Sequence, residues 1–62
     1  MVYRIKELRI KKMLSQDELA KKSGISRATI AHLENNKQQE VKLGTLKALA
    51  SALQVQISDL YT

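Results

Sequence analysis

The residues best suited to specific chemistry lie in one short stretch, residues 26–34, which mixes basic, hydroxyl and small side chains with two large apolar ones. Ile30 and Leu33 are three positions apart, so on a helix they form one narrow apolar stripe. Arg27 and His32 then lie elsewhere around the same helix, beside alanine and threonine. A helix that buries a narrow stripe and exposes a broad hydrogen-bonding face suits few tasks. One of them is lying in the major groove of DNA.

A second helix is predicted immediately before this stretch. Ser15 and Glu18 have the spacing of a capping box, in which each side chain accepts a hydrogen bond from the other residue's backbone N–H. Gly24 ends that helix, where a left-handed conformation is needed, and Ser26 caps the helix that follows. Two helices joined by a short turn that contains glycine form a helix-turn-helix unit with steeply crossing axes. Here the unit covers residues 16–35.

Apolar periodicity predicts further helices on both sides of this unit. The predicted helices are Val2–Met13, Ser15–Lys22, Ser26–Glu34, Leu43–Leu53 and Ser58–Tyr61. Leu60, in the last of them, is expected to close the core. Because no segment alternates apolar and polar residues as a strand does, the sequence predicts an all-α fold. We expect a compact five-helix bundle that forms a single domain over residues 1–62.

The charge balance favours a polyanionic partner. Eleven Lys and Arg residues stand against six Asp and Glu residues, which gives a formal net charge of +5 in a chain of 62 residues. Such an excess in a small domain is typical of proteins that bind nucleic acid. The alternative is a solvated, lysine-rich surface, and charge alone does not decide between the two.

The composition argues against several other classes of protein. The chain has no Cys, so it forms no disulfide and no cysteine-containing zinc site, and we expect it in the cytoplasm. It has no Phe or Trp and only two Tyr, whereas a protein that stacks single-stranded bases normally needs more aromatic surface. No apolar run approaches the roughly 20 residues of a membrane span, so no membrane association is expected.

The sequence does not support an enzyme. It has no cysteine nucleophile and no glycine-rich loop. On a helix, His32 and Glu34 point in different directions because they are two residues apart, so the only histidine has no carboxylate to orient it. One histidine also cannot hold a metal by itself. We therefore predict no catalytic residue, no metal or other cofactor, and no small-molecule ligand.

Beyond these patterns, the chain resembles a known family over nearly its whole length. The run LRIKKMLSQDELAKKSGISRATIAHLENNK, followed by LGTLKALASALQV and SDL, is similar to the phage Cro and repressor type of helix-turn-helix protein, often called XRE. These pieces are specific in combination, whereas a short helix-turn-helix match alone would be weak. The resemblance implies a lambda-repressor-like fold. It also implies a transcriptional regulator, expected to be a repressor, that binds specific sequences of double-stranded DNA.

The resemblance also implies roles for individual residues. The helix at residues 26–34 would lie in the major groove with its first turn at the base edges, as the second helix of the motif does in phage repressors. Base contacts are expected from Arg27, Ala28, Thr29 and His32. Contacts to the phosphate backbone are expected from Gln16, Asn35, Lys37 and Lys42. An internal ion pair is expected between Arg9 and Glu34.

Several of these assignments have a simpler alternative. Arg27 could contact a phosphate or nothing, and His32 could face solvent. Gln16 could be an exposed helix-start residue, although its place beside the helix dipole favours a phosphate contact. Lys42 stands where the family often has a serine cap, and Val41 stands where it often has proline. These departures make Lys42 the weakest of the expected contacts.

A homodimer on a pseudo-palindromic operator is expected, because one recognition helix covers only a few base pairs. Two half-sites would then lie about 34–36 Å apart. In the family that the chain resembles, the loop before the fourth helix and the C-terminal helices often form the dimer surface. The residues at the matching positions here are Val41, Leu43, Val55, Ile57, Leu60 and Tyr61.

A protein-interaction module is the alternative of a different class. Small domains of this type also serve as antitoxins or adaptors. DNA binding would show a steep dependence on salt, with a log–log slope of about −0.9 per neutralised phosphate. An antitoxin or adaptor would instead show a flat salt curve and a tight protein partner.

Overall fold

The computed structural model describes residues 3–35 and 41–61. The expected phosphate contact Lys37 and the expected first helical residue Val2 lie outside the described residues. Within them the chain forms four α-helices and one short 3₁₀ turn. The helices are α1 (Ile5–Lys11), α2 (Gln16–Ser23), α3 (Arg27–Asn35) and α4 (Leu43–Leu53), and the 3₁₀ turn is Ile57–Leu60.

The short last turn of helix predicted at Ser58–Tyr61 is present as a 3₁₀ turn at Ile57–Leu60, so the described residues form four α-helices and not five. Four residues are too few for regular i to i−4 hydrogen bonding, and short 3₁₀ turns are common as connectors and chain ends. The Asp59 carboxylate accepts a hydrogen bond from the Gln56 backbone N–H at 3.0 Å, which fixes the start of the turn. Leu60 is fully buried and closes the core, as predicted.

The start of α1 also differs from its prediction. Tyr3 is buried and forms an isolated antiparallel bridge with Tyr61, so α1 begins only at Ile5. The Arg4 N–H donates to the Leu60 carbonyl at 2.6 Å. The two tyrosine rings meet edge to face with centroids 6.3 Å apart. This pairing joins the two ends of the domain and is the one strand-like contact among residues 3–35 and 41–61.

The end of α1 is a left-handed turn made without glycine. Met13 has a φ of 60°, a conformation that costs most residues energy, and its side chain is exposed. The Leu14 N–H donates to the Arg9 carbonyl and the Met13 N–H to the Ile10 carbonyl. These two hydrogen bonds are the Schellman pattern that ends many helices. The turn separates α1 from α2, so the predicted helix over Val2–Met13 was too long at this end as well.

The helix-turn-helix unit has the predicted caps. The Ser15 hydroxyl accepts from the Glu18 N–H at 3.0 Å, and the Ser15 N–H donates to the Glu18 carboxylate at 2.9 Å. Gly24 adopts the left-handed conformation, with φ of 75°, at the end of α2. The Ser26 hydroxyl accepts from the Thr29 N–H at 3.2 Å at the start of α3. The end of α2, the turn and the start of α3 therefore follow from local sequence and one glycine.

Every element contributes to a single apolar core. Its buried residues are Tyr3, Ile5, Leu8, Leu19, Ile30, Leu33, Leu46, Leu49, Ala50, Leu53 and Leu60. Because α3 buries Ile30 and Leu33 against this core, the opposite side of α3 is turned outward. In the part of the chain that the structure describes, no helix is long and apolar enough to cross a membrane.

Candidate nucleic-acid interface

The outward face of α3 carries all four residues that were expected to contact bases. Arg27 is the first residue of the helix, and Ala28 and Thr29 follow in the same turn. His32 lies one turn further on, four residues after Ala28. All four are exposed, whereas Ile30 and Leu33 on the other side are fully buried. The helix therefore presents a basic group, a hydroxyl, a methyl group and an imidazole on its solvent side.

Thr29 is held by the helix cap. Its hydroxyl oxygen accepts a hydrogen bond from the Ser26 hydroxyl at 2.8 Å, in addition to the backbone bond that starts α3. The hydroxyl hydrogen of Thr29 is then free to donate to an oxygen outside the helix. This arrangement places the Thr29 hydroxyl at the N-terminal edge of the outward face.

Arg27 has a partner that the sequence did not indicate. Its Nε lies 3.3 Å from Oδ1 of Asp17, the second residue of α2. Both side chains are largely exposed, at 65% for Arg27 and 71% for Asp17. The two residues are ten positions apart in different helices, so no helical spacing relates them. Only the crossing of α2 and α3 brings the two helix starts together.

A polar network links α1, α2 and α3 beside this face. Arg9 Nε lies 2.7 Å from Glu34 Oε2, and Arg9 Nη2 lies 3.2 Å from Glu34 Oε1. Arg9 Nη1 also donates to the Leu14 carbonyl at 2.7 Å. Gln16 Nε2 donates to Glu34 Oε1 at 3.0 Å. The expected ion pair of Arg9 with Glu34 is therefore present. The hydrogen bonds from Arg9 to Leu14 and from Gln16 to Glu34 were not anticipated.

The environment of Glu34 keeps its carboxylate ionised. Burial raises the pKa of Glu34, but the hydrogen bonds from Arg9 and Gln16, with the positive charges of Arg9 and Lys6, outweigh it. The pKa of Glu34 therefore lies below its ordinary value. Its side chain is only 2% exposed and that of Arg9 is 12% exposed, so both charges are withdrawn from water. A buried pair of this kind costs stability when one partner is removed.

The described residues that were expected to contact phosphates lie in three different parts of the chain. Gln16 is half-buried at the first position of α2, and Asn35 is exposed at the last position of α3. Lys42 is exposed immediately before α4 and makes no side-chain cap there. The structure thus places three of the four expected phosphate contacts, and Lys37 is outside the described residues.

The expected dimer residues differ widely in exposure. Leu43, the first residue of α4, is 59% exposed. Half-buried side chains on the surface of the core are Val41, Val55, Ile57 and Tyr61. Leu60 has no exposed area, so it belongs to the core and its side chain is not available to a partner.

The sequence is similar to known helix-turn-helix proteins. A helix-turn-helix family model, HTH_3, matches residues 5–60. The HTH-type transcriptional regulator RghRB of Bacillus subtilis (strain 168) is 43% identical over 56 residues, which are 90% of this chain and 40% of that protein. The immunity repressor protein of Bacillus phage phi105 is 40% identical over 55 residues, 89% of this chain and 38% of the repressor. The chain spans about two fifths of the length of these two relatives.

A solved structure matches the fold over most of its own length. The crystal structure of the restriction-modification controller protein C.AhdI from Aeromonas hydrophila aligns with a TM-score of 0.85 at 38% sequence identity. The alignment covers 94% of this chain and 86% of that chain. The arrangement of the four helices and the 3₁₀ turn is therefore shared with a controller protein of similar size.

Proposed function

Because the chain belongs to the Cro and repressor (XRE) type of helix-turn-helix family, we propose that it regulates transcription. The proteins of this family are DNA-binding transcriptional regulators and not enzymes. In this proposal it acts as a repressor that binds a specific operator in double-stranded DNA. The observation that carries the proposal is the division of α3 into a buried apolar side and an exposed polar side. An apolar stripe fixes the helix to the core, and the exposed side is free to enter a major groove.

Base recognition in this proposal comes from the first turns of α3. Arg27 can donate two hydrogen bonds to O6 and N7 of guanine, which is worth about 1–3 kcal/mol of discrimination. His32 can donate to N7 of guanine or contact the methyl group of thymine. Ala28 offers a methyl group to thymine, and Thr29 has a hydroxyl hydrogen to donate. Four side chains within two turns of one helix account for a few base pairs at most.

Backbone contacts would position α3 in the groove. Gln16 uses one amide hydrogen on Glu34 and has a second for a phosphate oxygen, at a helix start where the free N–H groups also favour an anion. Asn35, the last residue of α3, and Lys37, two positions later in the sequence, would contact the sugar-phosphate strand. Lys42 would add a phosphate contact before α4. Such contacts fix orientation and register but carry no sequence information.

A dimer would join two of these units on a pseudo-palindromic operator. Two recognition helices one helical turn apart read two half-sites, about 10 base pairs centre to centre. This part of the proposal is supported by apolar side chains that keep exposed area at the two ends of α4: Val41 and Leu43 at its start, and Val55, Ile57 and Tyr61 after its end. The interface is expected to be modest in area and symmetric.

The test is selection of bound sequences from a random duplex pool, followed by affinity measurement on the selected duplex at several salt concentrations. The proposal predicts two inverted half-sites and a steep loss of affinity with salt. Sedimentation with and without the duplex should show a dimer on DNA. A flat salt curve with no enriched sequence would contradict the proposal and would favour the alternative of an antitoxin or adaptor.

A further inference from the structure

We propose that Asp17 is a positioning residue for base recognition, because its carboxylate holds the Arg27 guanidinium in the orientation that engages a base pair. This inference rests on the proposed function and adds a specificity-determining residue to it. The contact joins the second residue of α2 to the first residue of α3. The helix that lies behind the recognition helix would therefore take part in sequence choice.

The atoms in contact support this role. Asp17 Oδ1 lies 3.3 Å from Nε of Arg27, the guanidinium nitrogen closest to the backbone, in an ion-pair contact. A partner at Nε leaves the outer edge of the guanidinium, Nη1 and Nη2, for other acceptors. That edge carries two parallel N–H donors, the geometry that O6 and N7 of guanine accept. Asp17 can therefore hold the Arg27 guanidinium at Nε while Nη1 and Nη2 contact the base.

The negative charge of Asp17 indicates that its role is in sequence discrimination and not in general affinity for DNA. A carboxylate near a polyanion weakens attraction to every DNA sequence alike. An arginine without a lateral partner can turn to a phosphate, where it contributes affinity without sequence information. Because Asp17 holds Arg27 and repels phosphate, it exchanges general affinity for discrimination at the base pair that Arg27 contacts.

The simpler role of Asp17 is stabilisation of α2. An acidic residue in the first turn interacts favourably with the helix dipole. In the free protein the pair with Arg27 is largely exposed, and such pairs contribute little to stability. On DNA the same two charges lose water, so their interaction strengthens where recognition occurs. Discrimination between sequences, and not folding stability, is therefore the quantity that separates the two roles.

The experiment measures the affinity ratio between the selected operator duplex and duplexes changed at one base pair at a time. Asp17→Asn keeps the size of the side chain and removes the charge. It should strengthen binding to all sequences and lower the ratio at one base pair by about threefold to tenfold. Arg27→Ala should lower the ratio at that same base pair. In the Arg27→Ala background, Asp17→Asn should not lower it further.

Glu18→Gln is the matched control, because it removes the same charge from the next residue of the same turn. Glutamine also suits this position of a capping box, so the helix start is preserved. Glu18→Gln should strengthen general binding as Asp17→Asn does and leave the ratio at each base pair unchanged. Circular dichroism of both variants checks that each is folded.

Three results would overturn the inference, and they are distinguishable. If the wild-type protein discriminates but Asp17→Asn leaves the ratio at the Arg27 base pair unchanged, Asp17 is only a helix-start residue. If the wild-type protein prefers no sequence at all, the proposed function itself fails and this inference fails with it. A ratio lowered equally by Glu18→Gln would assign the effect to net charge and would also reject the proposal.

Discussion

Glu34 and Arg9 form a buried, two-point ion pair that ties the C-terminal half of α3 to α1, with Nε–Oε2 and Nη2–Oε1 distances of 2.7 and 3.2 Å. The same carboxylate accepts from Gln16, the first residue of α2. One side chain thus fixes the recognition helix to both helices that precede it. The orientation of the proposed DNA-binding face depends on this carboxylate as well as on the apolar core.

Removal of one partner of this pair should destabilise the fold strongly. Glu34→Ala leaves the largely buried Arg9 guanidinium without its counter-charge, and the cost of about 3–5 kcal/mol typical of a fully buried pair is the upper bound for this part-buried one. That is a large part of the roughly 3–9 kcal/mol expected for a domain of this size. Urea unfolding measures the loss. Glu7→Gln, in the exposed pair with Arg4, is the control and should change the unfolding midpoint only slightly.

Replacing both partners should cost less than replacing one. In Arg9→Met with Glu34→Leu, no uncompensated buried charge remains, and two apolar side chains fill similar volumes. Gln16 then loses its acceptor but stays near the surface, where water can replace it. A double variant that is less stable than Glu34→Ala would contradict the assignment of the cost to a buried, unpaired charge.

Acid should weaken the fold through Glu34. Because the pKa of Glu34 is lower in the folded protein than its ordinary value, the unfolded chain takes up the proton first as pH falls. The contribution of Glu34 is therefore complete above about pH 4.3, the ordinary glutamate value, and is lost as pH falls through the folded pKa. Urea midpoints between neutral pH and pH 3 should fall more steeply for the wild type than for Glu34→Gln. Parallel curves would contradict this role.

The two glycines should respond to alanine with opposite sign. Gly24 has a left-handed φ of 75°, so Gly24→Ala should lower the free energy of unfolding by about 1–2 kcal/mol even though a Cβ there meets no atom within 4 Å. Gly44 lies in the first turn of α4 with open space around it, so Gly44→Ala should raise the free energy of unfolding by about 0.4–1 kcal/mol. Thermal unfolding of both variants makes the comparison. Equal effects would mean that the turn conformation at Gly24 is not required.

The parts of the fold that the sequence predicted are those fixed by local contacts. Ser15, Glu18, Gly24 and Ser26 act within one turn of their own position, so α2 and α3 begin and end within one residue of the prediction. The helix at Leu43–Leu53 matches its prediction because its apolar spacing is regular over three turns.

The parts that were missed depend on contacts between distant residues. The bridge of Tyr3 with Tyr61 shortens α1 at its start, and no local pattern marks it. The contact of Asp17 with Arg27 and the bond from Gln16 to Glu34 likewise depend on how the helices cross. Periodicity identifies which face of a helix is buried, but it does not identify which polar side chains of different helices meet.

The central claim is that α3 distinguishes base pairs through Arg27 while residues around it hold the phosphates. The most direct measurement compares Arg27→Ala with Lys37→Ala on the selected operator, on its single-base-pair variants and across salt concentration. Arg27→Ala should relax preference at one base-pair position by about 1–3 kcal/mol. Lys37→Ala should weaken binding to all sequences alike and reduce the salt slope by about one unit. If Arg27→Ala weakens every sequence equally, Arg27 contacts only the backbone and the account of recognition by α3 is wrong.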